Sequence, residues 1–391
     1  MARHIAANFV NLLIVLLVIA GGVFYWAKSE FSKPGPLENS IYIEVPRGGT
    51  VKGLSNQLEE QGAVSHGLIM RIASDYNGQA SQLKFGNYEI PAHASMADIL
   101  NIVTKGGAGS FRFVANYRVG IRGAKMILSE REAGSGEVTK LAEFDEGGEL
   151  PKAYTDLVAA KTPIVYRITA AEGATSWQIV ESLKLADFLD GAFENIPPEG
   201  MLSPNTYEVR RGTLIADVIE QMFEAQKRIL AEEWENRSEG LPFDTPEDAL
   251  ALASIIEKET GVAEERAEVA AVFVNRLNKG MKLQMDSTVE YGITEGKGFL
   301  NRGLRRSEMS KTTPYNTYII EGLPPGPIGN PGREAIHATL HPNVSNNLFF
   351  VADGSGGHSF AETLVEHNAN VAKWRKIEAE KRRQDQQNSG N

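Results

Sequence analysis

The stretch Ile43-Glu44-Val45-Pro46-Arg47-Gly48-Gly49-Thr50-Val51-Lys52-Gly53-Leu54-Ser55-Asn56-Gln57-Leu58 decides the fold class. Apolar residues at Ile43 and Val45 alternate as a short strand does. Pro46 to Gly49 reads as a tight turn. Thr50 can cap a helix whose apolar stripe falls on Leu54 and Leu58, four and eight residues on. The same pattern recurs twice. Tyr88 and Ile90 lead through Pro91-Ala92-His93-Ala94-Ser95 to Ile99 and Val103, and Tyr166 and Ile168 lead through Ala171-Glu172-Gly173-Ala174-Thr175 to Ile179 and Leu183. Three strand-turn-helix units imply an α+β protein.

The repeated unit resembles LysM and related carbohydrate-binding modules. Any α+β domain can reuse such a unit, so the pattern carries more about fold than about function. Between the second and third copies, residues 117–163 are rich in charge and in glycine, with Gly134-Ser135-Gly136 and Gly147-Gly148 breaking any long helix. They read as an inserted, partly mobile excursion. Past Gly212, Val218, Met222, Ile229 and Trp234 mark a helical stretch that leads to a boundary at Leu241-Pro242-Phe243.

The whole chain has 391 residues, room for two or three folded units. With 42% hydrophobic and 23% charged residues it is neither disordered nor collagen-like. Its 40 Lys+Arg against 50 Asp+Glu give a formal charge of -10, which repels a phosphate backbone, so nucleic acid is not expected as a partner. The absence of cysteine excludes disulfides, Cys-ligated metals and a thiol nucleophile. At the N-terminus, residues 9–26 read FVNLLIVLLVIAGGVFYW, with Asn11 the lone polar residue. As a helix this spans about 27 Å of hydrocarbon. Small residues at Ala27 and Ser29 loosely suit a cleaved signal peptide, but the length and the closing Phe24-Tyr25-Trp26 favour an uncleaved membrane anchor. Arg3 on one side and Lys28 and Lys33 on the other leave its orientation undecided.

The last third opens with a strong helix start: Thr245 as cap, Pro246 at the first position, Glu247 and Asp248 at the positive end of the dipole. Residues 249–256, ALALASII, are apolar on all sides and imply a buried helix that runs into Glu257-Lys258-Glu259. Burial at that end would raise a carboxyl pKa toward the range of a proton donor. Glu257 shares a stripe with Leu250 and Ala253, and Glu259 with Leu252, Ile255 and Ile256, so periodicity does not choose between them. Pairing of both acids with Lys258 or Arg266 is the purely structural alternative. A second helix follows over residues 264–277. Beyond it come the polar set Leu283-Gln284-Met285-Asp286-Ser287-Thr288, the aromatic and amide cluster Thr313-Pro314-Tyr315-Asn316-Thr317-Tyr318, and a rigid Pro/Gly loop over residues 322–332. The glycines after Asp353 lack the ending of a P-loop. His337 and His341 have helix-face spacing, but Pro342 follows and no HExxH occurs, so neither a metal nor any other cofactor is expected. No GxSxG elbow is present for a Ser hydrolase.

Six ordered motifs, Leu252 to Thr260, Val272 to Leu277, Leu283 to Asp286, Pro314 to Tyr318, Gly322 to Gly326 and Phe350 to Gly354, closely resemble the endolytic murein transglycosylases of the MltG, or YceG-like, type. The resemblance runs from about Ile41 to Lys373 and includes the anchor. It implies that Glu257 is the catalytic acid of a lytic transglycosylase, with Gln284, Asp286, Tyr315 and Asn316 positioning the sugar or orienting Glu257. The implied reaction cleaves the β-1,4 bond between N-acetylmuramic acid and N-acetylglucosamine without water and leaves 1,6-anhydro ends. One carboxyl suffices, whereas most glycosidases need two. The resemblance implies peptidoglycan strands as substrate, the inner membrane as support and association with peptidoglycan synthases. Since murein lies outside the inner membrane, the bulk would be periplasmic and the N-terminus cytoplasmic. The implied organisation is a cytoplasmic 1–8, an anchor 9–26, a linker 27–40, a LysM-like domain 41–116, the excursion 117–164, the third repeat and connecting region 165–244, a mixed α+β catalytic domain 245–375 and a polar, frayed tail 376–391. Ser203 and Asn205 stand where the family has an aromatic residue and an Asp, Ser287 and Ala171 where Pro is usual, and the excursion is longer than expected, so contacts near Ser203 and Asn205 would differ. Two rivals compete with this reading: a two-carboxylate muramidase pairing Glu257 with Asp286, and a noncatalytic, membrane-anchored wall-binding scaffold.

Overall fold

The computed structural model describes residues 2–46, 48–84, 86–105 and 111–388. Arg47 of the first repeat and residues 389–391 of the tail lie outside them. The elements in chain order begin with α1 (Ala2–Ser32), β1 (Ile41–Val45), α2 (Val51–Glu60), α3 (Gly67–Tyr76), β2 (Gly86–Ile90) and α4 (Met96–Lys105). Next come β3 (Phe113–Gly120), β4 (Gly123–Arg131), β5 (Val138–Asp145), α5 (Lys152–Ala159), β6 (Ile164–Ala170), α6 (Ser176–Lys184), β7 (Leu189–Asp190), β8 (Thr206–Val209) and β9 (Thr213–Leu214). The remainder is α7 (Ile215–Glu235), α8 (Pro246–Glu259), α9 (Arg266–Asn278), α10 (Asp286–Thr294), α11 (Arg306–Met309), α12 (Arg333–Leu340), β10 (Phe349–Ala352), β11 (His358–Ala361) and α13 (Leu364–Asn388). The larger sheet has the order β5-β4-β3-β6-β8. The chain is therefore mixed α+β, and it divides into two compact units.

The first unit comprises Met1–Ala115, Ile127–Glu143 and Leu150–Val165. In it β1 and β2 pair antiparallel, Ile43 facing Tyr88. Ile43, Leu58, Met70, Ile90, Ile99 and Val103 are fully buried in one core. Over Val10–Ser32, α1 is long and apolar enough to cross a membrane, and its apolar stretch is exposed. Residues 27–40, expected as a linker, are not slack. The helix continues to Ser32, Glu30 and Leu37 are buried, Phe31 packs on the core, and Gly35 N–H donates to His93 O at 3.1 Å.

The second unit comprises Asn116–Met126, Phe144–Glu149 and Tyr166–Asn391. There β6 pairs antiparallel with β8, Ile168 facing Tyr207. The core of its C-terminal half gathers α8, α9 and α12, with Leu252, Ala253, Ile255, Phe273, Leu283, Ile328 and Ile336 fully buried.

All three repeats fold alike. In each turn the first carbonyl accepts from the fourth N–H: Gly49 to Pro46, Ala94 to Pro91 and Ala174 to Ala171. In each the third residue is left-handed, Gly48 at φ 75°, His93 at 59° and Gly173 at 76°, as a type II turn requires. Thr50 Oγ1 then accepts from Gly53 N–H, Ser95 Oγ from Asp98 N–H, and Thr175 from Gln178 N–H within a full capping box.

Two stretches differ from expectation. Residues 117–164, read as a partly mobile excursion, hold the second half of β3, all of β4, β5 and α5 and the start of β6. Their glycine clusters mark the turns that flank β5. The tail expected to fray is helical as far as Asn388, without proline or glycine and with an Arg382–Glu378 pair one turn apart.

Candidate active site

Helix α8 forms as its sequence requires. Thr245 Oγ1 accepts from Asp248 N–H, Pro246 opens the first turn, and residues 249–256 are all buried. The terminal acids then part. Glu257 lines a cleft of about 330 Å³ together with Glu172, Lys258, Glu290, Tyr291 and Phe299, all within the second unit. Glu259 is not part of that wall. It accepts from Ser287 Oγ at 2.6 Å, and burial, with Asp286 adding to it, pushes its pKa up.

The Glu257 side chain is only 4% exposed. Its Oε2 accepts from Gly332 N–H at 2.9 Å, and Gly332 is the N-cap of α12. Arg266 lies between two acids, 3.8 Å from Glu257 Oε1 and 3.7 Å from Glu172 Oε2. Desolvation is the leading influence on Glu257 and raises its pKa. Gly332 N–H pulls it down, Glu172 pushes it up, and Arg266 and Lys258 pull it down. The outcome is a carboxyl whose pKa lies above the ordinary glutamate value, with a backbone donor and a guanidinium ready to hold the anion.

The loop over residues 322–332 is pinned to this helix. Ile328 N–H donates to the buried Ser254 Oγ at 2.9 Å, and Asn330 O accepts at 2.8 Å from the N–H of Gly173, whose own carbonyl accepts from Lys258 Nζ at 2.9 Å. Asn330, fully buried, accepts from Leu202 N–H and donates to Ala174 O. A further acid, Glu199, accepts from Ser176 N–H at 2.8 Å and from Tyr291 O–H at 3.2 Å, and burial raises its pKa.

The other expected site residues fall into a neighbouring group. Gln284 is exposed and left-handed at φ 58°, and its N–H donates to Thr317 O. Asp286 opens α10 and accepts from Tyr318 O–H at 2.7 Å. Tyr315 is half-buried, its ring 4.8 Å from that of the cleft residue Tyr291. Ser287, which lines the cleft and donates to Glu259, joins the two groups. Asn316 differs in kind: it is fully buried, its amide donates to the carbonyls of Met309 and Lys311, and its Oδ1 accepts from Tyr318 N–H. Its chemistry is spent inside the protein, where it shapes the loop that carries Tyr315.

Ser203 and Asn205 do not line the cleft. Ser203 is buried with its carbonyl accepting from Tyr207 O–H, and Asn205 Oδ1 accepts from Thr206 N–H. His337 and His341 lie with Glu233, their ligand atoms within 4.8 Å of one another. The Glu233 carboxylate is already held by Arg333 at 2.7 Å and His337 at 2.8 Å. Sequence reasoning missed Glu172, Glu199, Glu290, Tyr291 and Phe299. The one local signal was for Glu172, which occupies the turn of the third repeat.

Fold and site together define an α+β protein whose cleft is built around one buried carboxyl. The chain belongs to the YceG-like family, which it matches over residues 43–373. It is 29% identical over 382 residues to the endolytic murein transglycosylase of Streptococcus pneumoniae strain D39, covering 94% of this chain and 65% of that protein. It thus spans just under two thirds of that relative's length. It is 30% identical over 313 residues to the endolytic murein transglycosylase of Bacillus subtilis strain 168, covering 72% of this chain and 82% of that protein. A crystal structure of a yceG-like protein from Listeria monocytogenes aligns with a TM-score of 0.46 at 24% identity, covering 85% of this chain and 98% of that one.

Proposed function

We propose that this chain is an endolytic lytic transglycosylase that cuts the N-acetylmuramic acid to N-acetylglucosamine β-1,4 bond of peptidoglycan, with Glu257 as acid and then base. The observation that carries this reading is the Glu257 carboxyl, shielded from solvent on a cleft wall yet hydrogen-bonded by Gly332 N–H and close to Arg266. The names of its pneumococcal and Bacillus relatives agree with it. Protonated Glu257 donates to the glycosidic oxygen, and the bond from that oxygen to C1 of the muramic acid breaks. The carboxylate then takes the proton of the same sugar's 6-hydroxyl as that oxygen bonds to C1. A 1,6-anhydro ring closes, the acid is regenerated and no water enters.

In this reading Gln284, Asp286 and Tyr315 position the glycan, while Asn316 holds the loop beneath Tyr315. Residues 41–116 are the LysM-like part that grips the strand. Helix α1 anchors the chain in the inner membrane with the bulk periplasmic, near nascent strands and the synthases that make them. Glu172 and Glu290 also line the cleft, so a two-carboxylate hydrolase is the rival that product chemistry must separate. Mass analysis of digested murein decides it: anhydro ends, one water lighter per cut, are expected, and reducing ends would overturn the proposal. Glu257→Gln should slow formation of those ends by about 10²- to 10⁴-fold. An unchanged rate would mean that another group supplies the proton.

A further inference from the structure

Helix α3 carries an apolar stripe that the first unit leaves uncovered. Leu68, Ile72 and Tyr76, spaced by four, share one helix face and are 56%, 60% and 85% exposed. Met70 and Ser74 on the opposite side are fully buried in the unit. The stripe is not isolated. Helix α3 packs on α1, and its N-cap His66 sits with its ring 5.6 Å from that of Trp26. Trp26 closes the exposed aromatic run Phe24, Tyr25 and Trp26 at the end of the apolar stretch of α1.

From Trp26 the helix runs straight into the core. Glu30 is buried and paired with Lys33, Phe31 packs on the core and Leu37 is buried. No slack segment separates the apolar helix from the folded unit, so α3 is held at the level where aromatic residues mark a membrane interface.

Resting on the reading of α1 as a membrane helix, we propose that the Leu68-Ile72-Tyr76 face of α3 beds into the interfacial layer of the lipid bilayer and fixes the attitude of the first unit on the membrane. The occupant is lipid rather than protein, because a stable protein interface needs about 800 Å² from each partner. A ten-residue helix, about 15 Å long, offers three apolar side chains, too little for such a partner. It suffices as a foot beside a spanning helix that already supplies the anchorage. Leu68 and Ile72 supply the apolar contact, Tyr76 is an amphipathic interface residue, and Arg71 on the flank can reach lipid phosphate.

Because the chain has no cysteine, single cysteines can be labelled with an environment-sensitive fluorophore in the whole 391-residue chain. Leu68→Cys, Ile72→Cys, Asn56→Cys on α2 and Val18→Cys on α1 are all exposed positions suited to this. The labelled proteins are reconstituted in phosphatidylethanolamine and phosphatidylglycerol vesicles, with a nitroxide either near the lipid headgroup or deep in the acyl chain. The expected result is loss of emission at positions 68 and 72 with the shallow nitroxide, loss at 18 with the deep one, and none at 56. Loss at 18 with positions 68 and 72 behaving like 56 would overturn the docking and leave the anchor intact. No loss at any position would overturn both. A blue shift at 68 and 72 that disappears on diluting the protein, without nitroxide quenching, would assign the face to a second copy and equally overturn the proposal.

Discussion

If Glu257 is the proton donor it faces two opposed demands, because it must hold its proton until the glycosidic oxygen takes it and yet survive losing it. Burial and the Glu172 carboxylate act toward the first demand by raising the pKa, and Gly332 N–H, Arg266 and Lys258 act toward the second by lowering it. The same balance has a stability consequence. A carboxyl whose folded pKa is raised binds more proton folded than unfolded, so stability is lost as pH climbs from the ordinary glutamate range to the raised folded value. Glu257→Gln keeps an acceptor for Gly332 N–H and removes the buried charge. Its thermal midpoint should therefore match that of the parent in acid and exceed it at neutral pH, a gain in stability beside a loss of activity. A variant less stable than the parent at both pH values would refute the raised pKa. Glu172→Gln tests the neighbouring charge. Without that carboxylate the Glu257 pKa falls, so the alkaline limb of the pH-rate profile should move to lower pH, while Glu172→Asp should retain it. A profile that only scales down, with its limbs fixed, would give Glu172 a merely structural part.

At the scale of elements, α8 and the Pro/Gly loop act as one part. Ser254 is 1% exposed; its hydroxyl donates to Ala251 O and accepts from Ile328 N–H. Ser254→Ala leaves that buried N–H without a partner and should cost about 1–3 kcal/mol in urea unfolding. Turnover should fall as well, since the same loop delivers Gly332 to Glu257. A loss of stability with turnover unchanged would show that the loop holds its place without this bond. What could be read beforehand follows the reach of local patterns. The three repeats were legible because turn, cap and stripe fall within sixteen residues, and α8 because its caps and apolar run are contiguous. Of the Glu257 partners, Arg266 was legible as a neighbour in sequence, whereas Gly332 was not, because it is 75 residues away and no periodicity reports such a contact. Strand β5 was hidden for another reason: its outer half, Val138–Leu141, is exposed on both faces, so no apolar alternation marks it.

For the whole molecule, the sequence suggested an anchor, a linker and a folded bulk, and the middle term changes the mechanics. A flexible linker would let the first unit sample a range of heights above a membrane, whereas α1 enters the core of that unit as unbroken helix to Ser32. The linker was misread because Pro34, Gly35 and Pro36 look like slack, while the contacts that fix them, such as Gly35 to His93 O, come from the second repeat. If α1 spans the bilayer and Glu257 cuts glycan, the first unit stands on the membrane by a stiff mount, and the reach of the chain to its substrate starts from there. Inserting eight Gly and Ser residues after Lys28 keeps the span and the docked segment from Glu30 onward, and adds a reach of up to about 28 Å. In membranes carrying nascent glycan, the insertion should broaden and lengthen the distribution of strands released, as read by chromatography and mass spectrometry. Cutting of detached murein in detergent should be unchanged, because the cleft is untouched. Identical strand lengths with and without the insertion would mean that the cut position is set by the glycan or by a partner, and that the stiffness of the mount has no part in it.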